Sequence, residues 1–489
     1  MERRIFLAMI LSLGVTIAWL ALVSHLYPIE KQRVINGTAI VNNLSNLASE
    51  DFSSETPRAE NWRNNILFIF PYSASINKVF FKDYNAEFIL NKGFLCQINA
   101  TTLSFQPELN QGKWYFVSKD ENKKIIKEFI FNNSNNTIEL RITIQNLQSY
   151  AQKMDFLLLA NQIDWQKINP QETRFQEIYF SSKTKDIHLA PRKNYQIEKI
   201  DFLGFRDRYF CLIIQPQDYD FQGVIQKIDN QKVATGLMSS LVLPAETTQE
   251  LKFLAYLGPQ DQEQIKQINP HWTKIIHYGT FNSITYFLLE ILKLFYKVLK
   301  NWGLAIITLS IVIYFLLYPL TLKQLLAMKK MQILQPQIEE LKKLYSQNPQ
   351  RLNKEIIELY RREKVNPLGG CLPLLLQIPI FFALYQGLSR FLALKGKSFL
   401  WIKDLAEPDK FTTIGGQPIN LLPLLLILIM FLQQKQTQAM SSSQTEQQKA
   451  LVFVFPVILG IIFYSLPAGL VLYWLVNSLL MWLFQMKIK

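Results

Sequence analysis

Five apolar stretches, 302–321, 369–389, 419–434, 450–466 and 468–486, contain no Asp, Glu, Lys, Arg or His. Each is long enough, or nearly so, to cross a bilayer as a helix. A chain with this pattern must place much of its mass in lipid, and backbone in lipid is satisfied only as closed helices or barrels. Pumps and intramembrane enzymes need an ionisable group at depth. These segments offer only amides and hydroxyls, such as Ser310, Tyr314, Tyr318, Gln377, Gln386, Tyr473, Asn477 and Ser478. A polar but uncharged surface within the membrane suits the handling of a polypeptide better than the transformation of a molecule.

Charged residues make up only 18% of the 489, yet the formal charge is +14. With apolar spans present, that basic balance points to anionic lipid or ribosomal RNA rather than free DNA. Cys96, Cys211 and Cys371 stand alone, and Cys96 and Cys211 read as buried thiols without a disulfide. The four histidines are scattered and no HExxH or CxxC occurs, so neither a metal nor another cofactor is expected.

Arg3 and Arg4 precede the apolar run Ile5–Leu26, which reads as an uncleaved signal anchor with its N-terminus in the cytoplasm. Residues 29–60 are polar and tether-like. From about 62 to 258 the period changes to two, with strands expected at Ile66–Phe70, Glu87–Leu90, Trp114–Val117, Thr137–Ile144, Phe156–Leu159, Phe175–Phe180 and Tyr209–Ile214. Thr137–Ile144 alternates cleanly, and Asn132–Asn136 breaks the chain before it. Phe281–Lys300 then shows helical spacing, with Ile284, Phe287, Leu288, Ile291, Leu292, Phe295, Val298 and Leu299 on one arc. A spanning helix here would put the basic loop 322–367 outside, so the helix is expected to lie flat at the outer interface.

The fold class that follows is a polytopic α-helical membrane protein with six spans and a large extracytoplasmic β-sandwich. Its expected parts are an anchor at 1–27, a flexible linker at 28–60, the β-sandwich at 61–279, the interfacial helix at 280–300 and a five-helix core at 301–489. Both termini are expected in the cytoplasm. Spans 419–434 and 450–466 are short and imply a thin bilayer or burial against neighbours.

Ser310, Tyr314, Tyr318 and Thr321 form one stripe of a helix. Such groups must pair with one another or line a watery hollow, and from sequence alone interhelical hydrogen bonding is the simpler account of them. In the loop 322–367, Met331, Leu334, Ile338, Leu341 and Tyr345 form a heptad seam that Leu352, Ile356 and Leu359 resume. Ser346–Pro349 supplies the turn, with Asn348 as cap and Pro349 at the first helical position. A cytoplasmic helical hairpin is expected, kinked in its first arm by Pro336.

Several runs resemble the YidC/Oxa/Alb membrane-protein insertase family. They are Asn301–Ile307, Tyr318-Pro319-Leu320-Thr321, Leu334-Gln335-Pro336, Lys364–Pro373 continuing to Gln377–Phe381, and Pro467–Trp474. The β domain resembles the Gram-negative YidC branch, with Arg206–Phe210 and Tyr256–Pro259 fitting more loosely. The resemblance implies a non-enzymatic insertase and chaperone of the bacterial inner membrane, with the β domain in the periplasm. A hydrophilic groove would take nascent membrane proteins and release them into the lipid bilayer without nucleotide hydrolysis. The hairpin would receive substrate, delivered by the ribosome or the Sec translocon. The family usually carries an Arg four residues before the Tyr-Pro-Leu-Thr run, and here that position is Tyr314. The resemblance thus implies a groove that relies on neutral hydrogen bonding.

Three rival classes fit less well. A channel or transporter would need broken helices with charges at the midplane. An intramembrane hydrolase would need an activated nucleophile, but Ser310, Ser465 and Ser478 have no base in the spans. A structural scaffold for the translocon would differ from an insertase only in a depletion experiment.

Overall fold

The computed structural model describes residues 56–110, 113–132, 134–190, 193–363, 372–438 and 446–487. The N-terminal anchor, nearly all of the linker, Cys371 and the run Lys364–Leu368 lie outside the described residues.

Among the described residues, the chain from Arg58 to Pro259 forms antiparallel sheets of four, nine and six strands. The strand Thr137–Asn146 shows why. Its alternate residues Ile138, Leu140, Ile142 and Ile144 are fully buried, while Glu139, Arg141 and Thr143 face outward. Phe253 of the nine-stranded sheet stacks on Phe156 of the six-stranded sheet, 6.4 Å between ring centroids. The sheets therefore close over one shared core, as a sandwich. The sequence places a strand at Phe175–Phe180; the strand is Glu177–Ser181, because Thr173–Phe175 turns once as a 3-10 helix. Cys96 and Cys211 are buried and free.

The nine-stranded sheet is also covered on its far side. Helix α1 (Gln262–Ile268) and a 3-10 turn at Pro270–Ile275 seat Ile265, Trp272 and Ile275 against Tyr179, Ile213 and Tyr256. That double cover explains why Phe210–Ile214 is apolar at every position. Gly204 belongs there because a Cβ would lie 2.5 Å from Ile275.

The helical part begins with α2 (Asn282–Leu299). Its inner face buries Thr285, Leu288, Leu289 and Leu292. The arc expected to form one apolar face is split. Phe287 (64% exposed) and Val298 (77%) of that arc point away from the bundle, as does Leu294 (57%) from outside it. Lys300 takes a left-handed conformation (φ 53°) that ends the helix and turns the chain into α3 (Trp302–Ile333). Two short helices, α4 (Gln335–Leu344) and α5 (Pro349–Arg362), are followed by α6 (Leu372–Arg390), α7 (Leu421–Gln438), α8 (Glu446–Phe463) and α9 (Ala468–Lys487). Helix α9 packs along α3 and α7, while α2 packs on α3 and α6. Their shared interior contains Leu309, Leu384, Leu426, Phe463 and Val471.

Among the described residues, two segments meet the length and composition of a membrane crossing, Trp302–Lys323 and Ala468–Met486. Leu421–Lys435 is a shorter apolar stretch. Pro336 does not kink the first arm of the hairpin. The chain breaks one step earlier, at Leu334, and Pro336 lies in the first turn of α4, where its missing N–H costs nothing.

Candidate functional site

The polar residues of the helical region gather along α9. Gln377 of α6 donates its Nε2 to the Tyr473 hydroxyl at 2.9 Å, and Asn477 Nδ2 reaches the Tyr473 carbonyl one turn back at 3.4 Å. Gln433 of α7 donates to the carbonyl of Ser478. Three helices thus meet through neutral amides and hydroxyls. Eleven residues further along α9, about 16 Å at the rise of a helix, lies an aromatic group. Phe484 packs against Tyr314 at 5.4 Å and Tyr318 at 5.2 Å between centroids.

The expected stripe of α3 does face α9 there, but its members differ. Ser310 is fully buried and returns its hydroxyl to Ile306 O at 2.8 Å, and Thr321 does the same to Leu317 O. Both are absorbed by their own helix. The Tyr314 hydroxyl is buried without a hydrogen-bond partner. Burying an unmade hydrogen bond costs about 1–3 kcal/mol, so Tyr314 is the polar group of α3 with capacity to offer. Gln386 does not join Gln377. It sits near the C-terminal end of α6 under Gly279, where a Cβ would come within 2.8 Å of its amide. Gly279 has φ +104°, so both conformation and space call for glycine.

In the hairpin, Leu334, Ile338 and Leu359 pack together with Leu341 and Ile356 beside them. Asn348 Oδ1 accepts from the Arg351 N–H at 3.1 Å and starts α5. Leu352 is half-buried, and Met331 falls within α3.

A second polar assembly escaped the sequence reading. The turn between strands Phe202–Arg206 and Phe210–Pro216 is shaped by Asp207, whose Oδ1 accepts the N–H groups of Tyr209 (2.8 Å) and Phe210 (2.7 Å). The turn sends Arg206 and Arg208 to the base of the β domain. Arg208 donates to the carbonyls of Ser389 (2.7 Å) and Ala406 (2.8 Å), and pairs with Glu172 and Glu407 at 3.0 and 3.2 Å. Glu177 lies between Arg206 and Arg390 of α6, the latter at 2.7 Å. Burial alone would raise the Glu177 pKa, but the two guanidiniums overrule it and hold the carboxyl at about 2. Arg206 and Arg390 also share the carbonyl of His277. Arg174 completes the junction by donating to Tyr385 OH at 2.7 Å. The signal in the sequence was Arg206-Asp207-Arg208, two cations and an acid inside an otherwise apolar hairpin.

Among the described residues no group of His, Cys, Asp or Glu could hold a metal ion.

The family described as 60Kd inner membrane protein matches residues 294–489, and the YidC periplasmic domain matches residues 99–291. The membrane protein insertase YidC of Wigglesworthia glossinidia brevipalpis is 32% identical over 385 residues, covering 74% of this chain and 68% of that one. The YidC of Endomicrobium trichonymphae is 36% identical over 277 residues, 56% of this chain and 53% of its own. The chain thus spans about half the length of some of the curated relatives it matches. A crystal structure of an active YidC insertase with its first transmembrane domain resolved aligns with 91% of this chain and 98% of its own, at 20% identity and a TM-score of 0.40. Both the β domain and the helical region are matched, in the order found here, and the chain belongs to the YidC family of membrane protein insertases.

Proposed function

We propose that this chain receives nascent hydrophobic segments on the polar strip along α9 and releases them into the lipid bilayer, without hydrolysing nucleotide. One observation carries the reading. The line Gln377–Tyr473–Asn477, with the unpaired Tyr314 hydroxyl beyond it, is polar and neutral inside apolar stretches that hold no charge. Neutral amides can exchange hydrogen bonds with the polar flank of a passing peptide at little cost, whereas a buried charge would bind it or repel it. The free energy comes from moving apolar side chains of the substrate into lipid.

Six spans with both termini in the cytoplasm place this strip within the membrane and the α4–α5 hairpin on the ribosome side. The basic loop 322–367 supports that orientation, with ten Lys and Arg against five acids. The apolar outer face of α2 supports its lying in the outer interface. The hairpin meets incoming chains, and the Sec translocon and the ribosome are its expected partners.

The test is site-directed crosslinking. A photoreactive residue at position 377 or 477 should crosslink to a ribosome-stalled two-span substrate, while one at the lipid-exposed Leu316 should not. Equal yields from all three positions would remove the strip as the site of contact.

A further inference from the structure

A cavity of about 430 Å³ opens at the junction of the β domain and α6, walled by Trp165, Arg174, Gln176, Glu177, His188 and His277 among others. Its hydrogen-bonding inventory is lopsided. Gln176 is 9% exposed and its side-chain amide makes no hydrogen bond among the described residues. Arg174 is held over the Tyr385 ring, its hydroxyl bonded to the guanidinium, and has no carboxylate partner among the described residues. His277 Nδ1 accepts the Gly279 N–H at 3.0 Å, which leaves Nε2–H as the donor of the neutral ring. The His188 ring lies tilted against His277, 5.1 Å between centroids, and its nitrogens bond to no described protein group. Glu177 does not balance these donors, because its two oxygens are taken by Arg206 and Arg390.

Donors therefore outnumber free acceptors on this wall. Of the four guanidiniums nearby, Arg206, Arg208 and Arg390 are paired with Glu172, Glu177 and Glu407, which leaves the positive charge of Arg174 unbalanced among the described residues. An acceptor-rich anion satisfies both imbalances. We infer that this cavity binds a phosphate group, gripped by Arg174 and Gln176 and bordered by the two imidazoles. The same chemistry is carried by a phospholipid headgroup of the outer leaflet or by a free phosphate. The lipid source accords with Tyr385, near the outer end of α6, and with the start of α2 only a few residues after His277.

The imidazoles report occupancy. Desolvation, then Arg206 and the neighbouring His277, hold His188 down at about 4, against the opposing pull of Glu177 and Asp186. His277 is lowered by burial and by Arg206 and Arg390. A phosphate beside them would oppose those cations and raise both values. The chain has four histidines, so their ring resonances can be followed one by one in the full-length protein.

The experiment titrates inorganic phosphate into the detergent-solubilised full chain. It also compares nanodiscs of phosphatidylglycerol with nanodiscs of a phosphate-free galactolipid. The expected result is a saturable shift of His188 and His277 with phosphate, weakened roughly tenfold in Arg174→Ala by loss of one charge-assisted contact. Gln176→Leu should weaken it as well without lowering the melting temperature, since the amide has no protein partner to lose. A shift already present in phosphatidylglycerol discs identifies the lipid as the source, and a shift seen only with added phosphate identifies a soluble ligand. The inference is overturned if neither disc nor phosphate up to roughly 50 mM, well above millimolar affinity, moves the two rings. It is equally overturned if Arg174→Ala shifts as the parent does.

Discussion

The junction under the β domain and the strip along α9 solve opposite problems with opposite chemistry. The junction uses charge: Arg206, Arg208 and Arg390 are shared among Glu172, Glu177, Glu407 and three backbone carbonyls, those of His277, Ser389 and Ala406. The strip uses none, only Gln377, Tyr473, Asn477 and an unpaired Tyr314. Buried ion pairs hold one geometry, because removing either partner strands the other. Neutral amides tolerate exchange of partners. This molecule fixes its junction with arginine, the strip proposed to handle substrate uses neutral amide, and the two are kept apart in the fold.

The largest effect should come from breaking the junction. Arg206→Ala leaves Glu177 with Arg390 alone and should cost about 3–5 kcal/mol, the range for a broken buried pair. Thermal unfolding of the full chain in detergent measures it, and a drop no larger than that of a surface substitution would contradict the assignment. Acid comes next. The Glu177 pKa falls from an ordinary 4.5 to about 2 on folding. Its contribution is therefore present above pH about 4.5 and lost as pH falls towards about 2, amounting to about 3 kcal/mol at most. Melting temperature against pH should slope more gently through this window in Glu177→Gln than in the parent.

The strip should behave differently. Replacing both Gln377 and Tyr473, as Gln377→Leu with Tyr473→Phe, removes both ends of one hydrogen bond, so stability should change little. Insertion of a two-span substrate should nevertheless fall, by up to about tenfold for one net hydrogen bond to the passing chain. A parallel loss of stability and insertion would make this pair simple glue between helices. The smallest effect is expected at Tyr314. Tyr314→Arg adds a cation to the strip and should improve insertion of an acidic-tailed substrate by about twofold to fivefold, about 1 kcal/mol or less. No preference between acidic and neutral tails would show that charge is irrelevant at this position.

Local pattern was legible. Ile138, Leu140, Ile142 and Ile144 alternate in the sequence and are buried in the sheet. Asn348 precedes Pro349 and caps α5 as that order suggests. The interfacial arc of α2 was read only in part, because periodicity finds an apolar face but not which of its edges meets a partner. Gln386 shared a helix and an amide with Gln377, yet it sits against Gly279 rather than on the strip. The junction was not legible at all, since Glu177 and Arg390 are 213 residues apart and belong to different architectures.

The residue order by itself determined the period of each segment, the absence of charge from the apolar stretches and the ends of the short helices. These depend on neighbours within a turn or a strand, where the chain fixes its own geometry. Tertiary structure alone decided which guanidinium meets which carboxylate, that Ser310 is spent on its own helix, and that the Tyr314 hydroxyl is buried without a mate. Such facts depend on surfaces folded from distant parts of the chain, and no local spacing encodes their approach.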